Sequence, residues 1–321
     1  MRVLVTGAAG MVGRKLVERL ARDGAIDDEP VSQLTVVDIA AGGPVEAPFP
    51  VEQRVADVAA VAPELVAGRP DLVFHLAAVV SGHAEADPDE GHRANVEGTR
   101  ALFDAVRDAS YCPRVVFSSS IAVFGPPFPD VIGDDQTPTP RTSYGTQKAI
   151  GELLLSDATR RGALDGVALR LPTICVRPGA PNRAASGFFS SIVREPLNGQ
   201  KAVLPVPEST RHWFASPRSA VGFLLHAATL DATPLGDDRC LTMPGVSATV
   251  ADEIKAVRAV GGDDAVALIR HEPDATIARI VSGWPRAFEA RRALELGFRA
   301  ERNFAETVDV YVQDELQQAV A

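Results

Sequence analysis

The chain has few cysteines and lacks an excess of basic residues. Its 321 residues include three cysteines, Cys112, Cys175 and Cys240, and no two of them form a C-x-x-C pair. The sequence therefore predicts neither a disulfide framework nor a zinc site, and we expect the thiols to be small core residues in a reducing compartment. Asp and Glu number 42 against 32 Lys and Arg, which gives a formal net charge of −10. This charge repels phosphate backbones and anionic membrane surfaces, so we expect neither nucleic acid nor membrane as a partner.

Long hydrophobic runs are also missing. No apolar stretch approaches the roughly 20 residues of a membrane span, and the opening MRVLVTG is too short for the apolar core of a signal peptide. We therefore expect a cytoplasmic protein. Hydrophobic residues make up 46% and charged residues 23%, the balance of an ordinary globular chain, and the length suggests one large domain or two modest ones.

The first half of the chain alternates short β-branched runs with longer helical patterns. This alternation predicts a parallel sheet covered by helices. The predicted strands are residues 2–6, 34–39, 51–55, 71–77, 114–118 and 167–171, and the main predicted helices are residues 12–21, 89–109 and 143–159. The fourth strand contains the run LVFHLA, which is typical of a central strand buried on both faces.

After residue 176 the sequence becomes rich in proline, glycine and small residues. We interpret residues 1–176 as a first domain on which residues 215–240 pack back, and residues 177–214 and 241–321 as a smaller C-terminal α/β domain. The predicted helices of this half are residues 187–197, 217–230, 250–260, 286–296 and 304–315, and the predicted strands are residues 201–206, 212–214 and 239–243.

A glycine-rich turn follows the first strand and opens an amphipathic helix. It reads Gly7-Ala-Ala-Gly10-Met11-Val12-Gly13. In such turns the first glycine permits a tight bend, the second lets the backbone approach a pyrophosphate, and the third allows close packing of helix on strand. The N–H groups at the helix start would bind the phosphates. A plain glycine-rich turn is the alternative, but the context predicts a dinucleotide site in a doubly wound, parallel-sheet Rossmann fold.

An acidic residue ends the second strand. Asp38 closes the run LTVVDI, where its carboxylate can accept both ribose hydroxyls of NAD. No Arg or Lys follows in DIAAGG to meet a 2′-phosphate, so we expect NAD rather than NADP; the alternative is that Asp38 only caps a loop. Further predicted cofactor contacts are Asp57 and Val58, which follow the third strand, and the small residues Ala77 and Ala78, which end the fourth. His75 lies inside a strand, and we expect it to be a core histidine.

The sequence Tyr144-Gly-Thr-Gln-Lys148 places two side chains four residues apart, on one face of a helix. A free tyrosine, with a pKa of about 10, is a poor base at neutral pH. A neighbouring ammonium and a positive nicotinamide both favour its phenolate form. We therefore expect Tyr144 to act as the base and Lys148 to keep it ionised and to bond the nicotinamide ribose. One of the serines Ser118, Ser119 and Ser120, which end the fifth strand, would donate to the substrate oxygen.

Together, GAAGMVG, Asp38, FHLAA, NVEGT, FSSSIAVFG and YGTQK resemble the extended short-chain dehydrogenases, the superfamily of NAD-dependent nucleotide-sugar epimerases and dehydratases. The resemblance implies that Ser120 is the catalytic serine. It also implies that Asn95 ties a helix to the site, although a simple polar helix residue is the alternative. We place Ser118 and Pro172 in the cofactor site as well. A homodimer is implied too, with helices 89–109 and 143–159 forming a four-helix bundle.

The second half departs from the nucleotide-sugar pattern. Thr173 stands where those enzymes commonly carry the Asn that holds the diphosphate, and Phe124 replaces the usual Tyr of VYG. Arg211 is kept, but the acidic residues expected after it are absent. The strings SSSIAVFGPPFPD, TSYGTQKAIGELLL, RLPTICVRPG and RHWFASPRSAVGFLLHA resemble a narrower family, the D-erythronate 2-dehydrogenases. That resemblance implies an oxidoreductase that acts on the CH–OH group at C2 of a four-carbon sugar acid, with NAD.

A 2-hydroxy acid presents a carboxylate and several hydroxyls, so its pocket needs one cation and a few donors or acceptors. The candidate substrate residues are Ser81, Ser120, Thr173, Arg177, Asn182 and Arg211, with Arg183 and His212 as further candidates. We expect no metal. Two other functions remain open: a nucleotide-sugar epimerase or dehydratase that uses bound NAD, and a non-catalytic NAD-binding sensor or scaffold. Relatives of the second kind usually lose the tyrosine–lysine pair or the serine, which this chain keeps.

Overall fold

The computed structural model describes residues 1–179 and 185–317, and the chain divides into two compact units. Unit 1 comprises Met1–Val123, Pro140–Leu171 and Val221–Thr242. Unit 2 comprises Phe124–Thr139, Pro172–Ala220 and Met243–Ala321, as far as these are described. Within residues 1–179 and 185–317, we find no helix with both the length and the apolar character needed to cross a membrane.

The strands are β1 Arg2–Thr6, β2 Ala25–Ile26, β3 Glu29–Pro30, β4 Gln33–Asp38, β5 Val51–Val55, β6 Leu72–His75, β7 Arg114–Ser120, β8 Asp165–Leu171, β9 Thr173–Ile174, β10 Ala202–Leu204, β11 Arg211–Ala215, β12 Cys240–Thr242, β13 Val246–Thr249 and β14 Ile269–His271. The α-helices are α1 Met11–Asp23, α2 Val58–Ala67, α3 Ser81–Ala86, α4 Pro88–His92, α5 Gly98–Ala109, α6 Ser143–Arg160, α7 Gly187–Leu197, α8 Pro217–Thr229, α9 Val250–Val266, α10 Ala275–Ser282, α11 Arg291–Glu295 and α12 Phe304–Tyr311.

Unit 1 is built on a seven-stranded parallel sheet in the order β12-β8-β7-β6-β1-β4-β5. The central strand β6 is buried at all four positions, as a parallel strand covered on both faces requires. β1 lies between β4 and β6, so the strand order reverses there and opens a crevice at the carboxyl ends of the strands. The predicted doubly wound Rossmann fold is confirmed.

Unit 2 is a smaller α/β structure. Its three-stranded sheet has the order β13-β11-β9, and β11 pairs antiparallel with β13 and parallel with β9. β10 and β14 form a separate parallel pair. The core is aromatic: the Phe214 ring lies 4.9 Å from Phe189 and 5.2 Å from Phe304, between ring centroids. These edge-to-face contacts bring α7 and α12 onto the same sheet.

Two predicted helices differ in the structure. Residues 89–109 lie in one continuous helical run, as predicted, but α4 and α5 are joined within it by a π-helical turn at Arg93–Glu97. The predicted helix 286–296 shrinks to α11. The backbone before it instead pairs with Ile132, whose N–H donates to the Ala287 carbonyl and whose carbonyl accepts from Glu289. At residues 286–290, hydrogen bonds to a distant part of the chain override local helix periodicity.

The cysteines are only partly as predicted. Cys175 and Cys240 are buried, and burial raises the pKa of the Cys240 thiol to about 12. Cys112 is exposed. The prediction of core thiols is therefore wrong for Cys112, which lies in the turn after α5.

One buried carboxyl stands out in unit 2. Glu253 of α9 is fully buried, and neither of its oxygens has a hydrogen-bond partner among the described residues. Burial, helped by the charge of Asp252, raises the pKa of Glu253 well above 4.5. The folded chain therefore keeps Glu253 protonated at pH values where the unfolded chain ionises it.

We predict that Glu253→Gln removes a pH-dependent loss of stability. Because the folded pKa is raised, the contribution of Glu253 to stability is fully present below its unfolded pKa and is lost as pH rises toward the folded value. The melting temperature of Glu253→Gln minus that of the wild type should therefore increase from pH 5 to pH 8. Asp264→Asn removes an exposed carboxylate near the end of α9 and should show no such trend. A constant difference for Glu253→Gln would contradict the prediction.

Candidate active site

The glycine-rich turn lies between β1 and α1 and is too tight for side chains. Gly7 has φ +72°, and a Cβ there would lie 2.5 Å from the Ala77 nitrogen. A Cβ on Gly13 would lie 2.1 Å from the Gly7 carbonyl oxygen. Met11 and Val12 open α1 with Gly10 as N-cap, so the N–H groups of the first turn point out of the helix. The turn thus offers backbone donors and a partial positive charge with no side chain in the way.

Asp38 lies directly beside this turn. Its Oδ2 accepts from the Ala9 N–H at 2.9 Å, and its Oδ1 accepts from the Ala40 N–H at 3.1 Å. These two bonds fix the carboxylate at the end of β4. An ionised carboxylate has about four acceptor positions, so it keeps capacity for the two hydroxyls of a ribose.

The remaining predicted cofactor residues of unit 1 follow β5 and β6. Asp57 caps α2 by accepting from the Ala59 N–H at 2.9 Å and lies 3.7 Å from the Arg93 guanidinium. The Val58 side chain belongs to the core, which leaves its backbone for any ligand contact. Ala77 and Ala78 are half-buried beyond the end of β6. The donor turn, the carboxylate and these small residues together fit a dinucleotide.

His75 is a core histidine, as predicted. It is 1% exposed, and its Nδ1 lies 2.7 Å from the Thr6 hydroxyl and its Nε2 2.9 Å from the Thr99 hydroxyl. Burial, together with the charge of Lys148, lowers the pKa of His75 to about 3. The ring is therefore neutral in the physiological range and has both nitrogens engaged.

Tyr144 lies in the first turn of α6. Thr142 caps this helix by accepting from the Gly145 N–H at 3.1 Å. A Cβ on Gly145 would lie 2.1 Å from the Ala122 carbonyl oxygen, so α6 approaches the segment after β7 at backbone contact distance. Tyr144 is half-buried next to this contact. The glycine therefore brings the tyrosine to the end of the serine-rich strand.

Lys148 lies one turn further along α6 and is 2% exposed. Its Nζ donates to the Ser118 carbonyl at 2.7 Å and lies 5.8 Å from the centroid of the Tyr144 ring. Burial lowers the pKa of Lys148 to about 7, while the Glu152 carboxylate acts in the opposite direction. The Lys148 amino group therefore lies beside the Tyr144 ring, one turn along the same helix.

The three serines at the end of β7 have different partners. The Ser118 hydroxyl donates to the His75 carbonyl at 3.2 Å, and the Ser119 hydroxyl donates to Glu152 at 2.5 Å. The Ser120 hydroxyl accepts from the Ala122 N–H at 3.1 Å, which leaves its proton available for a ligand. Ser120 is half-buried, whereas Ser119 is 2% exposed, so Ser120 is the better placed of the two to meet a substrate.

Asn95 is buried in the π-helical turn before α5. Its Oδ1 accepts from the Val79 N–H at 2.7 Å, and its Nδ2 donates to the Val79 carbonyl at 2.9 Å and to Gln147 Oε1 at 2.7 Å. Both amide hydrogens are used inside the protein. Asn95 thus joins the loop after β6 to α6 directly, as a π-turn at a functional site can do.

The candidate residues of unit 2 have their own contacts. Thr173 bonds His212 Nε2 at 2.7 Å, and His212 Nδ1 lies 3.0 Å from the Pro285 carbonyl. Burial lowers the pKa of His212 to about 4, so it is a neutral core residue. The Arg177 N–H donates to Ser190, and the exposed Arg211 guanidinium donates to the Ser247 carbonyl at 3.1 Å.

Four further candidates need separate mention. Pro172 is buried at the start of the second segment of unit 2, and Ser81 is half-buried at the start of α3. Asn182, together with Arg183, lies outside the described residues.

Sequence reasoning missed two polar residues of α6 that support the site, Gln147 and Glu152. Both are 4% exposed. Gln147 Oε1 accepts a hydrogen bond from Asn95 Nδ2. Glu152 forms an ion pair with Arg170 through two hydrogen bonds of 2.9 and 2.8 Å. The available signal was Arg170 itself, a charged residue inside the apolar strand run VALRL. Such a residue needs a buried partner.

Comparison with known proteins gives a consistent set of similarities. The model of the NAD dependent epimerase/dehydratase family matches residues 3–226. A protein of Cupriavidus necator named D-erythronate dehydrogenase is 45% identical and aligns over 98% of this chain and 98% of its own length. One of Haemophilus influenzae with the same name is 38% identical over 98% and 99%. A crystal structure described as the nucleoside-diphosphate-sugar epimerase from Agrobacterium tumefaciens has a TM-score of 0.96 and 57% identity, covering 99% of this chain and 95% of that one.

The contacts of Asp38 generate a cofactor prediction. Asp38→Asn keeps an acceptor for the Ala9 N–H but removes the charge that would repel a 2′-phosphate. We expect its affinity for NAD to fall about tenfold, because hydrogen bonds to a charged group are worth about 1.5–3 kcal/mol. The ratio of NAD to NADP affinity should fall further when Ile39→Arg is added. Dissociation constants from fluorescence titration measure both effects, and an unchanged ratio in the double variant would remove Asp38 from the ribose site.

Proposed function

The chain belongs to the NAD dependent epimerase/dehydratase family, and from this premise we propose that it is an NAD-dependent dehydrogenase that oxidises C2 of D-erythronate or a closely similar 2-hydroxy acid. The observation that carries the proposal is the Lys148 ammonium, held by the Ser118 carbonyl beside the Tyr144 ring. The family's dependence on NAD agrees with the cofactor that Asp38 predicts. The full-length relatives named D-erythronate dehydrogenase supply the substrate.

The proposed chemistry assigns one role to each of three side chains. The Tyr144 phenolic oxygen takes the proton of the C2 hydroxyl, and Ser120 donates a hydrogen bond to the same substrate oxygen. The C2 hydrogen would leave as a hydride, for which the nicotinamide ring of NAD would be the acceptor when the cofactor is bound. Lys148 sits where burial makes an ammonium costly, so a neighbouring phenolate stabilises the ammonium just as the ammonium stabilises the phenolate.

Cofactor binding is assigned to the residues around the glycine-rich turn. In this proposal the α1 N-terminus and the turn bind the pyrophosphate, and Asp38 binds the adenosine ribose. Lys148 also bonds the nicotinamide ribose. The proposed contacts are Gly7, Gly10, Met11, Val12, Gly13, Asp38, Asp57, Val58, Ala77, Ala78, Asn95, Ser118, Tyr144, Lys148 and Pro172.

Substrate binding is assigned to a cation and several neutral groups. Arg177 and Arg211 are the candidates for the carboxylate, since a guanidinium can bond both oxygens at once. Arg211 is exposed, and one of its guanidinium nitrogens donates to the Ser247 carbonyl, which leaves other N–H groups for a ligand. The neutral partners in this proposal are Ser81, Ser120, Thr173 and Asn182.

A nucleotide-sugar epimerase is the second candidate, and one observation favours it. The Agrobacterium tumefaciens protein, 57% identical, is described as a nucleoside-diphosphate-sugar epimerase. Against this stands Thr173, in the place where nucleotide-sugar enzymes commonly carry an Asn for the diphosphate. Its hydroxyl is already bonded to the buried His212. The two functions differ in outcome, because an epimerase returns its cofactor unchanged whereas a dehydrogenase accumulates NADH.

The decisive experiment measures NADH absorbance with a panel of four-carbon and five-carbon aldonates and, separately, sugar products from UDP-sugars. We expect NADH with D-erythronate. Tyr144→Phe should lower kcat by at least about a hundredfold, the lower end of what general acid–base catalysis contributes, with NAD affinity nearly unchanged. Near-full activity in Tyr144→Phe would remove the tyrosine from the mechanism. Sugar interconversion without net NADH would establish the epimerase instead.

We also propose a cytoplasmic homodimer. On α6, Leu153 is 71% exposed, and its neighbours on the same helix face, Ile150 and Leu154, are only half-buried. Three neighbouring apolar residues that are exposed or half-buried form a patch, and an exposed apolar patch is typical of an association surface. The resemblance to the extended short-chain dehydrogenases supports pairing of these helices in a four-helix bundle.

Leu153→Glu should therefore convert the dimer to a monomer, because two carboxylates would be buried against apolar neighbours. Size-exclusion chromatography with light scattering measures the mass directly. Leu294→Glu changes a leucine that is 44% exposed on α11, and it should leave the mass unchanged. A wild-type protein that is already monomeric at micromolar concentration would refute the dimer.

A further inference from the structure

The end of β7 holds α6 at two adjacent points. The Ser118 carbonyl accepts from Lys148 Nζ at 2.7 Å, and the next residue, Ser119, donates its hydroxyl to Glu152 Oε1 at 2.5 Å. Lys148 and Glu152 lie one turn apart on the helix, so two consecutive residues of β7 bind two successive turns of α6. The proposed function accounts for the first contact and leaves the second unused.

The second contact is the centre of a buried ion pair. Arg170 Nε donates to Glu152 Oε1 at 2.9 Å, and another guanidinium nitrogen donates to Oε2 at 2.8 Å. Ser119 and Arg170 are direct partners in the register of β7 and β8, so both side chains reach the carboxylate from neighbouring strands. Glu152, Arg170 and Ser119 are 4%, 7% and 2% exposed. The carboxylate is therefore fixed in place and shielded from water.

Few titratable or charged groups surround Lys148. On its own helix these groups are Tyr144 and Glu152. From β6, His75 faces it and is neutral, because its pKa is lowered to about 3. On β8, Arg170 adds a positive charge beyond the Glu152 carboxylate. Across the described residues, Glu152 is the one group whose negative charge favours the Lys148 ammonium.

Cys240 on β12 completes the surroundings of the ion pair. Burial raises the pKa of its thiol to about 12, so it is also neutral. The protonation of Lys148 thus depends on one carboxylate, Glu152, acting against burial.

We propose that Glu152 is a positioning residue that keeps Lys148 protonated at its contact with the Ser118 carbonyl and thereby sets the pH range in which Tyr144 can act as the base. The proposal rests on the proposed function. Without the Glu152 charge, Lys148 would face burial and an uncompensated Arg170 cation. Both disfavour a second ammonium. A neutral Lys148 would no longer stabilise the Tyr144 phenolate.

The test is the pH profile of kcat for Glu152→Gln, which keeps the shape of the side chain and removes its charge. We expect the acidic limb to move to higher pH by about one unit, the lower end of the effect of a nearby charge, and kcat at pH 7 to fall about tenfold. Profiles from pH 5.5 to 10 with saturating NAD and aldonate measure both effects. Circular dichroism and NAD affinity report whether the variant is folded.

Two variants separate charge from structure. Glu152→Asp restores the carboxylate, and its limb should return most of the way to the wild-type position. Asp157→Asn removes an exposed carboxylate of the same helix and should leave the limb unchanged. A Glu152→Gln enzyme that is slower but has the wild-type limb would reduce Glu152 to a structural role and overturn the proposal. The proposal would also be overturned if the acidic limb of Glu152→Asp were displaced as far as that of Glu152→Gln.

Should Glu152→Gln fail to fold, the double variant Glu152→Gln with Arg170→Met removes both charges and leaves no lone ion in the core. Its limb should move in the same direction by a smaller amount, and a wild-type limb would again overturn the proposal. Failure of the proposed function is distinct, since it would be seen as absent NADH formation in the wild type or as full activity in Tyr144→Phe.

Discussion

The proposed catalytic arrangement depends on the close approach of α6 to the chain that leaves β7. At Gly145 the helix backbone comes so near to Ala122 that a Cβ would lie 2.1 Å from its carbonyl oxygen. This contact places Tyr144 beside the segment that begins with Ser120. One turn later, the bond from Lys148 to the Ser118 carbonyl holds the same two elements together. The distance between helix and strand end is thus set by backbone contact and one buried ammonium, and not by exposed side chains.

Much of this site could be predicted from the sequence, because its motifs are local. The glycine-rich turn could be predicted because it follows an apolar strand and opens a helix. The spacing of Tyr144 and Lys148 places both on one helix face whatever the rest of the chain does. Asp38 was predictable for a related reason: in a parallel sheet, the ends of neighbouring strands meet at one edge. Each inference needs only a few consecutive residues and a rule about strand order.

The parts that could not be predicted depend on contacts between distant residues. In the π-helical turn, Asn95 bonds both polar groups of the Val79 backbone and also Gln147, and no local pattern encodes those partners. The predicted helix 286–296 fails for the same reason, since Ile132 supplies strand-like hydrogen bonds to residues 287 and 289. No local pattern distinguishes Glu152 within the predicted helix 143–159. Only the strand register shows that Arg170 and Ser119 converge on it.

The hydrogen bonds of His75 have a fixed direction, because its neighbours determine which ring nitrogen donates and which accepts. The Thr99 hydroxyl donates to the Asn95 carbonyl at 2.8 Å, so it must accept from His75 Nε2. Nδ1 is then the acceptor for Thr6, whose oxygen accepts in turn from the Ala77 N–H at 3.2 Å. A single tautomer is thereby selected, and a directed chain of donors runs from the loop beside the glycine turn to the π-helical turn. Any side chain in place of this imidazole would have to donate one hydrogen bond and accept another at opposite ends, so His75 fixes the direction of the whole chain of hydrogen bonds.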